Sequence, residues 1–259
     1  PKTMAAAMPR GWLACLFAFV QLQTCTSFCT SGNLPSWKSA GPPREHSLKL
    51  SEVRACLPPA TILLVRHGQT EWNLAGRYQG HKDSPLTERG RQEAQLLGKR
   101  LKESNKKIDN VFCSDLQRAW DTAKIIALEI GIESIHTDSN LRERGFGIFE
   151  GLTREEVKSR FPEEMSTFAR MDLDYKVPGG DSRRDVLDRT IRCLQNVAQS
   201  NPGKVSLVVT HGAVISLLMR WMLGIPFGPE SQAHADFKIR NSCLCELRYV
   251  GTKWEVLSF

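Results

Sequence analysis

The chain has 259 residues, of which 41% are hydrophobic and 24% charged, and its formal net charge is +7. This apolar content is enough for a packed core and excludes an intrinsically disordered chain. Residues 1–59 hold six basic and two acidic side chains, so residues 60–259 carry a net charge of only +3. A nucleic-acid-binding domain needs a strongly basic face, and we therefore predict no nucleic-acid partner.

Residues 1–59 are predicted to be an N-terminal targeting leader, followed by one folded domain over residues 60–259. The apolar run at 11–22 follows Arg10 and has the length of a signal peptide, too short to span a bilayer core of about 30 Å. A basic, Ser/Thr-rich stretch without acidic residues continues to Glu45. This order predicts a two-part presequence for an organelle such as a plastid, with a secreted or endomembrane destination as the alternative. No stable membrane span is predicted.

The first strand of the folded domain is predicted at residues 62–65, which are continuously apolar, as in a parallel strand covered on both faces. Arg66 and His67 follow it directly. Ligands of open α/β sheets bind outside the carboxyl ends of the strands. Gly68 is predicted to allow a tight turn behind the imidazole, and Asn73 adds a side-chain donor nearby. The sequence therefore predicts an anion site that contains a nucleophile.

The next segment repeats this strand-to-turn pattern. A helix is predicted to begin after Thr87 as its N-cap and to run toward Ser104. The second strand is predicted at 108–114, followed by a helix at 116–130. Arg118 then lies in the first turn of that helix, beside backbone N–H groups that favour anions.

A short strand is predicted at 135–137, followed by a charged stretch at 141–151. Both Glu143 and Glu150 lie in this stretch, and position alone does not choose between them as a catalytic carboxylate.

Two amphipathic helical pieces are predicted at 153–161 and 163–171. They fall between strands, where an inserted segment can cover a pocket. Phe161, Phe168 and Met171 are candidates for facing a substrate, but packing in a core is the favoured interpretation.

The carboxyl-terminal part contains a second strand that ends in a histidine and a glycine. A turn at 178–182 leads into a long helix to about Gln199, and the apolar run at 205–210 then predicts a buried strand. It ends in His211 and Gly212, as the first strand ends in His67 and Gly68. A helix at 213–223 and closing strands at 243–249 and 254–257 complete the predicted α/β domain.

The cysteines of the folded domain are predicted to be thiols. Cys113 and Cys193 lie in buried patterns. Cys243 and Cys245 would share one face of a strand, so a zinc pair is the alternative. No second Cys or His pair has metal-ligand spacing, and no metal site is predicted.

From about Ala60 onward, five separated motifs resemble, in order, those of the histidine phosphatase superfamily, in its branch of phosphoglycerate-mutase-like phosphatases. This resemblance implies a three-layer α/β/α sandwich with a mostly parallel central sheet, and it makes residues 60–259 the catalytic domain. One departure is Asp181, where many relatives have Glu. The motifs are Arg66-His67-Gly68-Gln69-Thr70 with Asn73, Ser114-Asp115-Leu116 with Arg118, Leu141-Arg142-Glu143 with Glu150-Gly151, Pro178-Gly179-Gly180, and Thr210-His211-Gly212.

The resemblance also implies roles for these residues. His67 would attack phosphorus to form a phosphohistidine, and Glu143 would protonate the leaving group and then activate water. Arginine and histidine would carry the charge that Mg²⁺ carries in other phosphoryl-transfer enzymes, so no metal or other cofactor is expected. The residues implied to bind the phosphorylated substrate are Arg66, Asn73, Gln79, Gly80, Arg118 and His211.

Three functions remain open at this point. The favoured one is a phosphatase acting on a small phosphorylated metabolite, because the segment between Arg118 and His211 is short compared with that of the mutases. A cofactor-dependent phosphoglycerate mutase is the alternative within the same family. A catalytically silent phospho-ligand-binding protein is disfavoured, because every catalytic position is filled. The sequence predicts no oligomeric state.

Overall fold

A computed structural model of the chain describes residues 57–104, 106–228 and 239–259. The predictions for the leader lie outside the described residues, except at 57–59. The strands are β1 (Ala60–Arg66), β2 (Asn110–Cys113), β3 (Ile135–Thr137), β4 (Val205–Thr210), β5 (Leu244–Val250) and β6 (Lys253–Ser258). The α-helices are α1 (Glu71–Leu74), α2 (Glu88–Glu103), α3 (Gln117–Ile130), α4 (Arg154–Arg160), α5 (Pro162–Ala169), α6 (Arg183–Ser200) and α7 (Gly212–Met222), with 3-10 turns at Ser139–Leu141 and Gly147–Phe149.

The strands form one mixed sheet in the order β3-β2-β4-β1-β5-β6. The first four are parallel, and β5 and β6 are antiparallel additions at one side. Arg66 is paired with Thr210 in the register of β1 and β4. This register brings the residues after the two strands together, and the His67 amide donates to the Thr210 carbonyl over 2.9 Å.

Two apolar cores lie on opposite faces of the sheet, which confirms the predicted α/β/α sandwich. Ile62 and Leu64 of β1 pack on the face covered by α6 and α7. Leu63 and Val65 pack on the other face, against α2 and α3. The continuously apolar sequence of β1 therefore has a direct cause, because both of its faces are buried.

The predicted second strand is longer than the observed one, which covers only Asn110–Cys113. At the start of β2 the Asp109 amide still donates to the Val205 carbonyl over 2.8 Å, but the Asp109 carboxylate accepts from the Val205 amide over 3.0 Å. A side chain thus takes the place of a backbone acceptor in the ladder, and regular pairing begins one residue later.

The inserted segment between β3 and α6 has a small core of its own. Phe161 and Phe168 pack there around the fully buried Phe149, so packing is their observed role. The Met171 sulfur lies 3.2 Å from Nη2 of Arg183. None of these three predicted candidates lines the cleft described below.

No helix within the described ranges has both the length and the apolar character needed to cross a membrane.

Candidate active site

His67 lies just past the end of β1 and is 2% exposed. Its Nδ1 lies 2.8 Å from the Gly68 carbonyl oxygen. A carbonyl oxygen only accepts, so Nδ1 carries the hydrogen and donates it. In the neutral imidazole the lone pair therefore lies on Nε2, which makes Nε2 the nucleophilic atom.

His211 follows β4 in the same way and meets His67 directly. The two ring centroids are 5.2 Å apart, and His211 is fully buried. Burial, followed by the charges of Arg66 and Arg118, holds the pKa of His67 well below its ordinary value of 6.5. Burial, Arg118 and His67 lower the pKa of His211 in the same way. Both imidazoles are therefore neutral at pH 7 in the free protein, and His67 is available for attack.

Arg66 ends β1 and lies against the start of α7. Its Nη1 donates to the Ile239 carbonyl over 2.5 Å. A side chain at position 212 would place its Cβ only 3.2 Å from Nε of Arg66. Gly212 therefore leaves room for this guanidinium, which would have to shift by a few tenths of an ångström for a larger residue.

Arg118 is 1% exposed and is held by the polar loop that precedes α2. Its Nη2 donates to the Gly80 carbonyl over 2.7 Å, and its Nη1 donates to the Lys82 carbonyl over 3.0 Å and to Asp83 Oδ1 over 2.7 Å. The other Asp83 oxygen accepts from the Gln117 amide at the start of α3 over 2.8 Å. The anion that binds the first turn of α3 is thus the carboxylate of Asp83. The same carboxylate holds the Arg118 guanidinium in place.

Several buried polar atoms have no hydrogen-bond partner within the described residues. Those at or beside the cleft are Nε of Arg66, Nε of Arg118, both ring nitrogens of His211 and Oε1 of Gln79, and others lie elsewhere, for example on Thr190 and Trp254. Leaving a buried polar atom unpaired costs about 1–3 kcal/mol, and such atoms in a folded protein call for an explanation. Arg66 and Arg118 are cationic donors and neutral His211 carries one N–H, so an anion bound beside His67 would pair these N–H groups.

The structure distinguishes Glu143 from Glu150, the two glutamates between which position in the sequence did not choose. Glu143 is 8% exposed and lines the cleft beside His67. Its Oε1 accepts from the Arg144 amide over 2.9 Å, and its Oε2 accepts from the Ala213 amide over 3.2 Å. Glu150 instead uses Oε1 to accept from the amides of His81 and Phe146, each over 3.0 Å. Glu143 is therefore the one of the two glutamates that lines the cleft, whereas Glu150 holds the loops together.

The cleft has a volume of about 150 Å³ and includes every predicted site residue except His211, which lies beneath its surface. Oδ1 of Asn73 accepts hydrogen bonds from Nδ2 of Asn241 over 3.1 Å and from the Thr70 amide over 3.2 Å. The Nδ2 of Asn73 is therefore the group left to donate. The lining residues are Arg66, His67, Asn73, Arg77, Tyr78, Gln79, Gly80, Arg118, Glu143 and Phe146.

Four residues at the site were missed by the sequence analysis. Arg77, Tyr78 and Phe146 line the cleft, and Asn241 donates to the His67 carbonyl over 3.0 Å. Arg77 and Tyr78 directly precede Gln79, which was a predicted substrate-binding residue, and this neighbouring position could have indicated them. No local pattern indicated Asn241, which lies in the carboxyl-terminal segment far from the other motifs.

The sequence analysis explained Gly68 by a tight turn behind the imidazole, and this explanation is wrong. Its φ is not positive, so no tight turn requires glycine there. A Cβ at this position would lie 2.5 Å from the Gly90 carbonyl oxygen of α2. Gly68 is therefore needed because the chain passes directly against a helix, and its amide donates to Thr122 Oγ1 of α3 over 3.0 Å.

The cysteines within the described residues are free thiols. Cys113, Cys193 and Cys245 are buried, and Cys243 is half-buried. Burial raises the pKa of Cys113 to about 12. No group of three or more His, Cys, Asp or Glu side chains with the geometry of a metal site occurs among the described residues.

The sequence and the fold match a known superfamily. A family model described as the histidine phosphatase superfamily, branch 1, matches residues 62–259. The chain therefore belongs to the histidine phosphatase superfamily, which confirms the predicted family. The prediction that it is an enzyme of the phosphatase class in this superfamily is also confirmed.

The chain is also similar to individual members. It is 42% identical over 199 residues to phosphoglycerate mutase-like protein 4 of Arabidopsis thaliana, covering 76% of this chain and 83% of that protein. Among solved structures it is similar to Bacillus stearothermophilus YhfR, with a TM-score of 0.70, 32% identity, and coverage of 77% and 96%. A mycobacterial glucosyl-3-phosphoglycerate phosphatase in complex with VO3 gives a TM-score of 0.66, 28% identity, and coverage of 77% and 98%.

The buried neutral histidines predict a dependence of stability on pH. The pKa values of His67 and His211 lie well below 6.5 in the folded chain, whereas unfolded imidazoles have a pKa of about 6.5. Below that pH the unfolded chain binds protons that the folded chain does not. We expect the free energy of unfolding to fall as the pH decreases below 6.5, by up to about 1.4 kcal/mol per pH unit for each imidazole.

Urea unfolding between pH 7.5 and 5 measures this dependence. His67→Asn should reduce the slope of the free energy of unfolding against pH by up to one proton, or about 1.4 kcal/mol per pH unit. His81, whose pKa is raised by its side-chain hydrogen bond with Asp181, contributes with the opposite sign and is present in both proteins. Equal slopes in wild type and His67→Asn would contradict a neutral buried His67.

Proposed function

We propose that the chain is a metal-independent phosphomonoesterase that hydrolyses small phosphorylated metabolites through a phosphohistidine intermediate. The observation that carries this proposal is the group of buried donor atoms without partners on Arg66 and Arg118, which line the same cleft as His67, and on His211, whose ring lies 5.2 Å from that of His67. A phosphate monoester is dianionic and repels nucleophiles until its oxygens are neutralised. This set of donors supplies that neutralisation in a fixed arrangement.

In the first half-reaction, Nε2 of His67 attacks phosphorus and the bond from phosphorus to the ester oxygen breaks. Arg66, Arg118, His211 and Nδ2 of Asn73 bind the phosphoryl oxygens. Glu143, protonated, gives its proton to the leaving oxygen, and the product is a free alcohol. Covalent attachment to His67 divides one difficult displacement into two easier ones.

In the second half-reaction, water attacks the phosphohistidine. The Glu143 carboxylate takes a proton from this water as the bond between phosphorus and Nε2 breaks, which restores both side chains and releases inorganic phosphate. The two backbone amides on Glu143 keep the carboxyl group in the cleft throughout. The acid of the first step is therefore the base of the second.

The cleft supports a small substrate. Its volume of about 150 Å³ is below the roughly 300–1,000 Å³ of pockets for drug-sized ligands. Tyr78 and Phe146 form part of the wall, with ring centroids 5.1 Å apart. The name of the similar mycobacterial phosphatase supports hydrolysis.

A phosphoglycerate mutase is the second candidate, favoured by the names of some relatives. One is the probable phosphoglycerate mutase GpmB of Salmonella choleraesuis, 33% identical over 196 residues, covering 74% of this chain and 86% of that protein. A mutase must exclude water from the phosphoenzyme and return the phosphoryl group to a second hydroxyl.

A panel of phosphate esters, assayed with EDTA present, separates these functions. We expect inorganic phosphate to be released with no interconversion of 2- and 3-phosphoglycerate, and EDTA to leave the rate unchanged. Interconversion would support the mutase. Tight binding of the esters without any turnover would support the catalytically silent binding protein, and loss of activity in EDTA would contradict a metal-independent mechanism.

We also propose that residues 1–59 are a cleaved targeting leader, directing the chain to an organelle such as a plastid. The basis is the order of an apolar run and an acid-free, Ser/Thr-rich stretch in the sequence. Sequencing the N-terminus of the mature protein tests this, and a mature start near Met4 would contradict it.

A further inference from the structure

We propose that His81, Asp181 and Arg189 form a positioning cluster that holds the backbone of Glu143, so that His81 and Arg189 aid phosphoryl transfer through the acid–base carboxyl group without touching the substrate. This inference rests on the function proposed above for Glu143. It assigns a role to three polar residues that the phosphoryl-binding donors do not include.

Two donors from separate parts of the chain meet on one atom, the carbonyl oxygen of Glu143. Nε2 of His81 lies 3.0 Å from this oxygen, and Nη2 of Arg189 donates to it over 3.0 Å. Since the oxygen only accepts, Nε2 of His81 carries a hydrogen in either the neutral or the protonated ring. His81 comes from the loop before α2 and Arg189 from α6, so the two clamp Glu143 from different elements.

Asp181 connects these donors and fixes the next part of the same segment. Its Oδ2 lies 3.5 Å from Nε2 of His81 and 4.0 Å from Nη2 of Arg189. The same oxygen accepts from the Gly145 amide over 2.8 Å, and the Asp181 amide donates to the Gly145 carbonyl over 2.9 Å. The backbone from Glu143 to Gly145 is therefore held on both sides of Arg144.

His81 also lies within the loop that holds Arg118. The carbonyl oxygens of its two neighbours, Gly80 and Lys82, both accept from the Arg118 guanidinium. The His81 amide itself donates to Glu150 Oε1 over 3.0 Å. One short loop thus fixes a phosphoryl-binding arginine through its backbone and the acid–base glutamate through its His81 ring.

The side chain of His81 is 40% exposed, so its removal leaves no large cavity in a core. A loss of activity in a variant at this position therefore reports mainly on Glu143. The effect of a misplaced acid depends on the leaving group. Departure of an alkoxide needs a proton in the transition state, whereas a nitrophenolate leaves without one. A general loss of structure would slow both reactions alike.

The test measures formation of the phosphoenzyme in single turnovers of the full chain, by rapid quench, with glycerol 3-phosphate and with p-nitrophenyl phosphate. For His81→Ala we expect the rate with the alkyl ester to fall about tenfold or more, because small displacements of a catalytic group are costly. The rate with the aryl ester should change less than about threefold, since it needs no acid. His81→Gln keeps an amide donor and should recover most of the loss.

Two further variants keep the test decisive. His136→Ala removes an exposed histidine on β3 and should leave both rates unchanged. Arg189→Met removes the second donor while keeping an unbranched side chain, and it should show the same selectivity as His81→Ala, which covers the case in which one variant folds poorly. Equal losses on both esters, or no loss on either, would overturn the positioning role. If wild type forms no phosphoenzyme from either ester, the proposed function itself fails, and this inference fails with it.

Discussion

Replacing His67 by alanine is expected to abolish phosphate release, with a fall in kcat/KM of at least about 10⁴-fold. The reason is that Nε2 of His67 is the atom that forms the bond to phosphorus, and its lone pair is directed by the hydrogen bond from Nδ1 to the Gly68 carbonyl. The His211 ring lies 5.2 Å from that of His67, but it is fully buried, and in the proposed mechanism it donates to a phosphoryl oxygen. It is therefore not placed to replace the nucleophile.

Steady-state release of inorganic phosphate measures this effect, and His136→Ala is the matched control because that imidazole is exposed on β3. His67→Ala should still bind inorganic phosphate, because Arg66, Arg118 and His211 remain. A variant that keeps more than about a hundredth of wild-type activity would show that the covalent step through His67 is not the main route.

Replacing Glu143 by glutamine is expected to lower kcat for alkyl phosphates by about 10²–10⁴-fold, the usual contribution of a general acid or base. An amide neither gives a proton to the leaving oxygen nor takes one from the attacking water. With p-nitrophenyl phosphate the first step needs no acid, so the second step alone should be slow. We therefore expect a burst of one nitrophenolate per active site, followed by accumulation of phosphoenzyme.

Stopped-flow absorbance measures the burst, and Glu155→Gln on the exposed face of α4 is the matched control. The side chain of glutamine retains the shape of glutamate and can still accept from the amide of either Arg144 or Ala213. Wild-type rates for alkyl esters in Glu143→Gln would remove this residue from the mechanism and leave Glu150 as the carboxylate to consider.

Much of the catalytic arrangement is predictable from the sequence because it depends on strand ends. Apolar runs identified β1 and β4, and the polar residues after each run fall at one edge of the sheet in any parallel arrangement. This is why Arg66, His67 and His211 could be placed at one edge of the sheet from pattern alone. Glu143 was different: several charges share its segment, and only the family resemblance selected it.

The remaining features depend on contacts between distant segments, which no local pattern encodes. Asp83 holds both Arg118 and the start of α3, and Asn241 holds the loop that carries His67. Gly68 is required by the carbonyl of Gly90 on another element rather than by its own φ. The wall residues Tyr78 and Phe146 are fixed by the small aromatic core of the inserted segment. Each of these follows from packing that forms only in the folded chain.

The site of covalent attachment tests the central claim most directly. Wild-type protein is mixed with a ³²P-labelled phosphate ester, quenched in alkali within the first turnover, and mapped by mass spectrometry. Alkali preserves the phosphorus–nitrogen bond of phosphohistidine. We predict label on Nε2 of His67 and on no other residue. Label on a different side chain, or turnover of the ester with no labelled protein at any time, would contradict the mechanism.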